Sequence, residues 1–189
     1  MEQVPLTRAT YEVIEDKRRM EELFGHTIRG MAYPQGTASA TDSVVEIVKN
    51  AGIVYSRTTV STEDFAITDD WLRLPATCHH ANPRLFELTQ KFLEQKTNRP
   101  LMFYLWGHSY EFDKQDNWDV IEKFGKTVGG NEEIWYATNI EIFDYITAYK
   151  QLRFSVDMTI AENPTATDLY FVLDGKNYTV KAGESITIA

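Results

Sequence analysis

The sequence predicts an α/β fold organised on a parallel sheet, and three observations carry that prediction. Helical and strand-like segments alternate from residue 8 to about residue 149, the pattern of βα units. The apolar run at residues 101–106 has the length and composition of a buried strand. It stops at Gly107 and delivers His108, Ser109, Tyr110, Glu111 and Asp113. A buried parallel strand that ends in titratable side chains is how α/β proteins present chemistry at the carboxyl edge of a sheet. After residue 150 the rhythm changes to short strands and turns. Residues 1–150 therefore read as the α/β domain and 151–189 as a small, hairpin-rich β appendage.

Each element has its own signal. Thr7 or Thr10 can cap a first helix with Val13, Ile14, Met20, Leu23 and Phe24 as apolar positions, ended by Gly25. Residues 28–33 read as a strand closed by Pro34-Gln35-Gly36. Thr41 caps a second helix carrying Val44, Val45, Ile47, Val48 and Ala51, and Gly52 stops it. A strand at 53–55, a polar loop at 56–70 and a brief strand at 71–74 follow. Asn82-Pro83 starts a third helix with Leu85, Phe86, Leu88, Phe92 and Leu93. Beyond the strand at 101–106 come a helix at about 118–127, a strand at 134–137, and a helix opened by a Thr138/Glu141 capping box. Five strands with crossovers give a parallel sheet, open or curled into part of a (β/α) barrel. In the appendage, strands are predicted at 154–160, 169–173, 177–180 and 185–188, with Asp174-Gly175 as a hairpin turn.

Composition narrows the partners. A net charge of −9 argues against nucleic acid and against an anionic membrane surface, both of which favour basic proteins. An aromatic content of 13% suits a carbohydrate ligand, because Trp and Tyr offer flat faces to sugar rings, though aromatics also simply fill cores. One cysteine, Cys78, excludes an internal disulfide framework. The first residues show no secretory signal and no run reaches the length of a membrane span, so a cytoplasmic protein is expected.

The chemistry-bearing residues all fall just after predicted strands: Tyr33 to Gly36, Thr77 to His80, Trp106 to His108, and Thr138-Asn139. In a parallel sheet these points share one edge, where residues distant in sequence converge. His108 reads either as a general acid or base or as a structural histidine satisfied by Glu111. His79 and His80 read as ligand contacts or loop-ordering groups. Adjacent side chains point apart on an extended chain, which disfavours joint metal binding. Glu111 and Asp113 would face the same side of an extended segment, as paired carboxylates or as a solvated loop. No GxSxG, P-loop, GxGxxG or CxxC pattern occurs, which lowers the odds of serine hydrolase, nucleotide and redox chemistry.

Four stretches together resemble the polysaccharide deacetylases, the NodB-homology or carbohydrate esterase family 4 group. They are Met31-Ala32-Tyr33-Pro34-Gln35-Gly36, Asp70-Trp71-Leu72-Arg73-Leu74, Thr77-Cys78-His79-His80 and Trp106-Gly107-His108-Ser109-Tyr110-Glu111. The last is the most specific. The likeness covers roughly residues 5–150 and implies a distorted (β/α) barrel. It also implies hydrolysis of the N-acetyl amide of amino sugars by water activated on a divalent metal, usually zinc. By that resemblance His108 is the late histidine that protonates the leaving amine. Gln35 stands where a backbone N–H helps hold the oxyanion. Trp71 matches an aromatic wall, and Tyr33, His79, His80, Trp106 and Glu111 border the sugar. Ala32 stands where many members carry an arginine.

The family's aspartate pair and His-x-x-x-His ligands lie upstream of the helix that begins near Thr7, and this chain contains neither. Asp69-Asp70 lies in the wrong part of the pattern. The likeness is thus to the C-terminal part of the catalytic domain. It implies a chain that holds no metal through the family's ligands and lacks catalytic competence alone. A barrel without its first strands exposes a strand edge and apolar surface, so a homo-oligomer is expected. A non-catalytic carbohydrate-binding module on the same fold is the alternative.

Overall fold

The computed structural model describes residues 4–188 and is mixed α/β. The chain divides into two compact units, Met1–Trp135 and Tyr136–Ala189. The division falls before the helix that opens at Thr138, so that helix is grouped with the C-terminal strands and not with the α/β region. Among the described residues, no helix is long and apolar enough to cross a membrane.

In the first unit the parallel strands follow chain order. Strand β1 (Gly30–Ala32) pairs with β2 (Tyr55–Ser61), and β2 with β3 (Leu74–Ala76). After Thr77 the same run continues as β4 (Cys78–His79), which pairs with β5 (Leu105–Trp106). Among the described residues these strands do not close into a barrel. The predicted strand at 134–137 is absent: Ile134 N–H closes a turn on the Asn131 carbonyl. Two further expectations shift. The polar stretch after Tyr55 is strand as far as Ser61, because Ser56 and Thr58 alternate inward and are fully buried. Residues Trp71–Arg73 form a 3₁₀ turn capped by the Asp70 carboxylate, and the strand begins only at Leu74.

Helix α1 (Leu6–Phe24) starts directly after Pro5, so neither Thr7 nor Thr10 caps it; the Thr10 hydroxyl donates to the Leu6 carbonyl inside the helix. Gly25 ends it in the left-handed conformation. Only Ala9 and Val13 are buried, while Ile14 is 52% and Leu23 74% exposed. The polar side of α1 carries a ladder of ion pairs. Arg8 meets Glu12, Lys17 meets Glu21, and Arg18 bridges Glu15 and Glu22, with Arg19 also on Glu15. The hydrogen bonds from Arg18, and then from Arg19, hold the Glu15 carboxyl down to about 2.

Helix α2 (Asp42–Asn50) buries Val44, Val45 and Val48 against Val13, Tyr33 and Ile53. Each such valine contributes roughly 1.5 kcal/mol or more. Helix α3 (Leu85–Glu94) follows an Asn82 turn rather than starting at Pro83, and places Leu85 and Leu88 against Phe65 and Cys78. Helix α4 (Ser109–Gln115) replaces the extended segment expected after His108, and α5 (Asp119–Val128) lies where a helix was predicted.

In the second unit the Thr138/Glu141 capping box opens α6 (Asn139–Tyr149) as expected. The single strand predicted at 154–160 is broken. Arg153–Phe154 is β6 and Ile160–Glu162 is β7, separated by a turn in which Asp157 accepts from Ser155 and Thr159. Strands β8 (Leu169–Leu173) and β9 (Lys176–Val180) form the predicted hairpin. Asp174 and Gly175 both have positive φ, 49° and 75°, as a type I′ turn requires. Strand β10 (Ser185–Thr187) pairs with β7. Ala161, Phe171 and Val180 make the core.

Candidate functional site

The parallel pairing of β4 and β5 sets His79 in register with Trp106, and the His80 N–H donates to the Trp106 carbonyl at 2.9 Å. Gly107 follows, and its lack of a side chain admits the His80 ring: a Cβ there would lie 1.8 Å from His80 Nδ1. His108 then caps α4, and Glu111, one turn into the helix, reaches back toward the strand ends.

Glu111 Oε2 is the hub. It accepts the His108 backbone N–H at 3.0 Å and lies 3.3 Å from His108 Nδ1 and 3.1 Å from His79 Nε2. His80 Nε2 stands 3.6 Å away. An ionised carboxylate only accepts, so the proton of neutral His108 sits on Nδ1 and that of neutral His79 on Nε2. His79 agrees independently, because its Nδ1 accepts the Ala81 N–H at 3.1 Å. The two adjacent histidines do not point apart as the extended-chain argument predicts. The strand ends at His79 and the chain turns, Asn82 N–H closing on the His79 carbonyl, so the rings stand 4.2 Å apart.

Aromatic packing fixes the cluster. His79 meets the Trp106 ring edge-on at 4.4 Å, His80 packs on Phe112 at 4.2 Å, and His108 stacks on Tyr110 at 5.1 Å. Arg57 lies over Trp106 at 4.8 Å. These groups border a cleft of about 320 Å³ lined by Arg57, His80, Trp106, His108, Ser109 and Phe112, within the range of small-ligand sites. Within this cluster, His80 Nε2 and Trp106 Nε1 are buried polar atoms without a hydrogen-bond partner.

The charges respond to this packing. Burial pushes the His80 imidazole below its ordinary value, helped by His79 and only partly opposed by Glu111. Burial pushes the Glu111 carboxyl up, but the His108 backbone and ring hydrogen bonds and the fields of His79 and His108 together hold it below its ordinary value. Both groups bind fewer protons folded than unfolded, so both make stability fall on acidification. The His80 contribution fades as pH drops below about 6.5, and the Glu111 contribution from about 4.5 downward. Melting temperature should therefore decline in two stages across that window, and His80→Phe should remove the upper one; a flat profile between pH 7 and 5 would contradict the assignment. Cys78 is fully buried and its thiol is pushed up to about 11 by burial, which makes it an inert core residue rather than a nucleophile.

Of the sequence-predicted residues, the structure thus brings together His79, His80, Trp106, His108 and Glu111. Tyr33, 3% exposed, donates its hydroxyl to the Leu72 carbonyl, and Trp71 is 7% exposed. Neither presents a ring face to solvent. Gln35 sits on an exposed left-handed turn after β1 and does not line the cleft. Asp113 does not pair with Glu111: α4 turns it aside to accept the Trp118 indole N–H at 2.9 Å. Thr138 and Asn139 belong to the second unit. Arg57 was hidden in the stretch read as loop; the β-branched run Thr58, Thr59, Val60 was the available signal for a strand there. Comparison with family models, with curated proteins and with solved structures found no match.

Proposed function

We propose that the chain is a polysaccharide-deacetylase-like domain that takes an N-acetylated sugar, with His108 as its proton-transferring residue and Glu111 as the group that orients it. The observation that carries this reading is the double grip of Glu111 Oε2 on the His108 N–H and Nδ1. It assigns the Nδ1 proton to the carboxylate and leaves Nε2, on a half-exposed ring, as the nitrogen that exchanges a proton at the cleft. In amide hydrolysis that nitrogen, once protonated, delivers its proton to the departing amine. Glu111 fixes the orientation of the ring through its contacts with the His108 N–H and Nδ1. Trp106 and Arg57 form the aromatic and polar wall of the cleft.

The order of the parallel strands supports the partial-barrel reading. Neighbours in the chain, β1, β2, the β3–β4 run and β5, are neighbours in space, as successive units of a (β/α) barrel are. The divalent metal that the resemblance implies would polarise the acetamide carbonyl and acidify a bound water. The family's own ligands have no counterpart in this chain; among the described residues the donor set it offers is His79, His80 and Glu111. Self-association, the other expectation of the resemblance, is in keeping with strands that, among the described residues, do not close into a barrel. A light-scattering mass near twice 21.8 kDa is the expected result, and a strict monomer contradicts it.

The glycan reading is tested by titrating the ¹⁵N-labelled chain with chitin oligosaccharides and peptidoglycan fragments. Shifts at the Trp106 indole N–H and the Ser109 amide are expected, weakened about tenfold or more by Glu111→Gln. No response to any N-acetylated glycan would sink it. Binding that survives His108→Ala unchanged would favour the carbohydrate-binding module.

A further inference from the structure

We infer that His79, His80 and Glu111 form a binding site for one borderline divalent cation of the zinc class, distinct in residues and chain position from the ligands the resemblance implies. The donor atoms of the three side chains all lie within 4.8 Å of one another. Zinc holds imidazole nitrogen at about 2.0–2.1 Å and carboxylate oxygen at about 2.0–2.2 Å, so tetrahedral neighbours stand about 3.4 Å apart. Glu111 Oε2 is 3.1 Å from His79 Nε2 and 3.6 Å from His80 Nε2, on either side of that value.

An independent observation points the same way. His80 is 3% exposed, and its Nε2 is buried with no hydrogen-bond partner while aimed at the Glu111 carboxylate. Buried polar atoms in folded proteins mostly find partners, and an orphan calls for an explanation; a cation held between His80 and Glu111 supplies one here. The chain also reserves space for this ring: Gly107 is the one residue type that lets His80 lie against the strand end. Two imidazoles and a carboxylate suit zinc, cobalt or nickel better than calcium or magnesium, which favour all-oxygen shells. Three protein ligands leave a coordination position open, the arrangement of catalytic rather than structural zinc sites.

Binding at His79 requires a change of tautomer, and it balances. In the metal-free state the His79 proton is on Nε2 and Ala81 N–H donates to Nδ1. When Nε2 takes the metal, that proton leaves Nε2 and one is regained at Nδ1, with no net release. The Ala81 N–H loses its acceptor, and because Ala81 is exposed, water replaces it. This gives the site a signature that adventitious surface binding lacks.

The test uses the full chain, stripped with chelator and titrated with zinc alone by calorimetry and with cobalt(II) alone by visible absorption. One equivalent per chain is expected, together with low-coordinate cobalt bands. His80→Ala and Glu111→Gln should each weaken binding by about tenfold or more, while His26→Ala, at an exposed position, should leave it unchanged. If His80→Ala does not fold, ¹⁵N spectra of the unmodified chain decide. Zinc should move the His79 proton from Nε2 to Nδ1 and shift the Ala81 amide. Absence of stoichiometric binding, binding that survives Glu111→Gln unchanged, or an unmoved His79 tautomer each overturns the site. No sugar enters the measurement, so its failure leaves the glycan reading standing, and loss of glycan binding leaves the metal site standing.

Discussion

Replacing Asn163 with alanine should destabilise the C-terminal unit by about 3–5 kcal/mol, a sum over four lost hydrogen bonds (one N–H is shared between two carbonyls) at about 0.5–1.5 kcal/mol each. The side chain is fully buried. Its amide nitrogen serves the Thr167, Val180 and Lys181 carbonyls at 2.8, 3.0 and 3.1 Å, and its oxygen accepts the Thr165 N–H and hydroxyl at 3.0 and 2.7 Å. One residue thereby ties the end of β7 to the turn before β8 and to the end of β9. Alanine leaves the buried Val180 carbonyl without its donor, while the Thr167 and Lys181 carbonyls lie on exposed residues. Aspartate should not rescue, because it would face three carbonyl oxygens with a carboxylate. A unit of about 50 residues has a total stability of only about 3–8 kcal/mol. The substitution should therefore melt it at room temperature. Loss of the Phe171 and Val180 side-chain resonances, with the His79–Glu111 cluster unaffected, is the expected readout. A change under about 1 kcal/mol would refute this account of the core.

The second large effect is expected at Gly107. A methyl there would lie 1.8, 2.6 and 2.9 Å from His80 Nδ1, Cε1 and Cγ. His80 is wedged between Phe112 and His79 and has no solvent to move into. Overpacking of this kind costs about 1–3 kcal/mol or more. Gly107→Ala should therefore lower stability by about 2–3 kcal/mol and disperse the ring contacts of the cluster. The decisive comparison is the double variant. In a His80→Ala background the methyl meets a vacated space, so the same substitution should cost less than about 0.5 kcal/mol. Additive effects would show that Gly107 serves the backbone rather than the histidine.

The sequence made the α/β alternation legible wherever apolar period and stop signals coincided: the Gly25 stop, the α2 valines, the Thr138/Glu141 box and the Asp174-Gly175 hairpin. It failed where tertiary packing overrode composition. Strand β2 is polar because Ser56 and Thr58 point into the interior, which no hydropathy pattern announces. Residues 134–137 have strand composition but form a turn and an irregular segment. The site was legible as a set of residue types at strand ends. What could not be read was that Glu111 lies in a helix, one turn after His108, and therefore folds back onto both. The joint placement of His79 and His80 depends on a turn set by Asn82, a non-local detail of how β4 ends.

Helix α1 carries a consequence for the solution behaviour of the protein. The Arg8–Glu12 and Arg18–Glu22 pairs of its ladder lie on exposed side chains, where dissolved salt screens them, while the apolar residues at its other positions gain from being removed from water when excluded salts are added. Ionic strength thus acts on the charged and the apolar residues of one helix in opposite senses. It weakens what keeps α1 helical alone and strengthens what would keep it helical against another surface. In dilute buffer the ion pairs add to the packing of Ala9 and Val13 in ordering α1; in concentrated salt its order depends increasingly on contact.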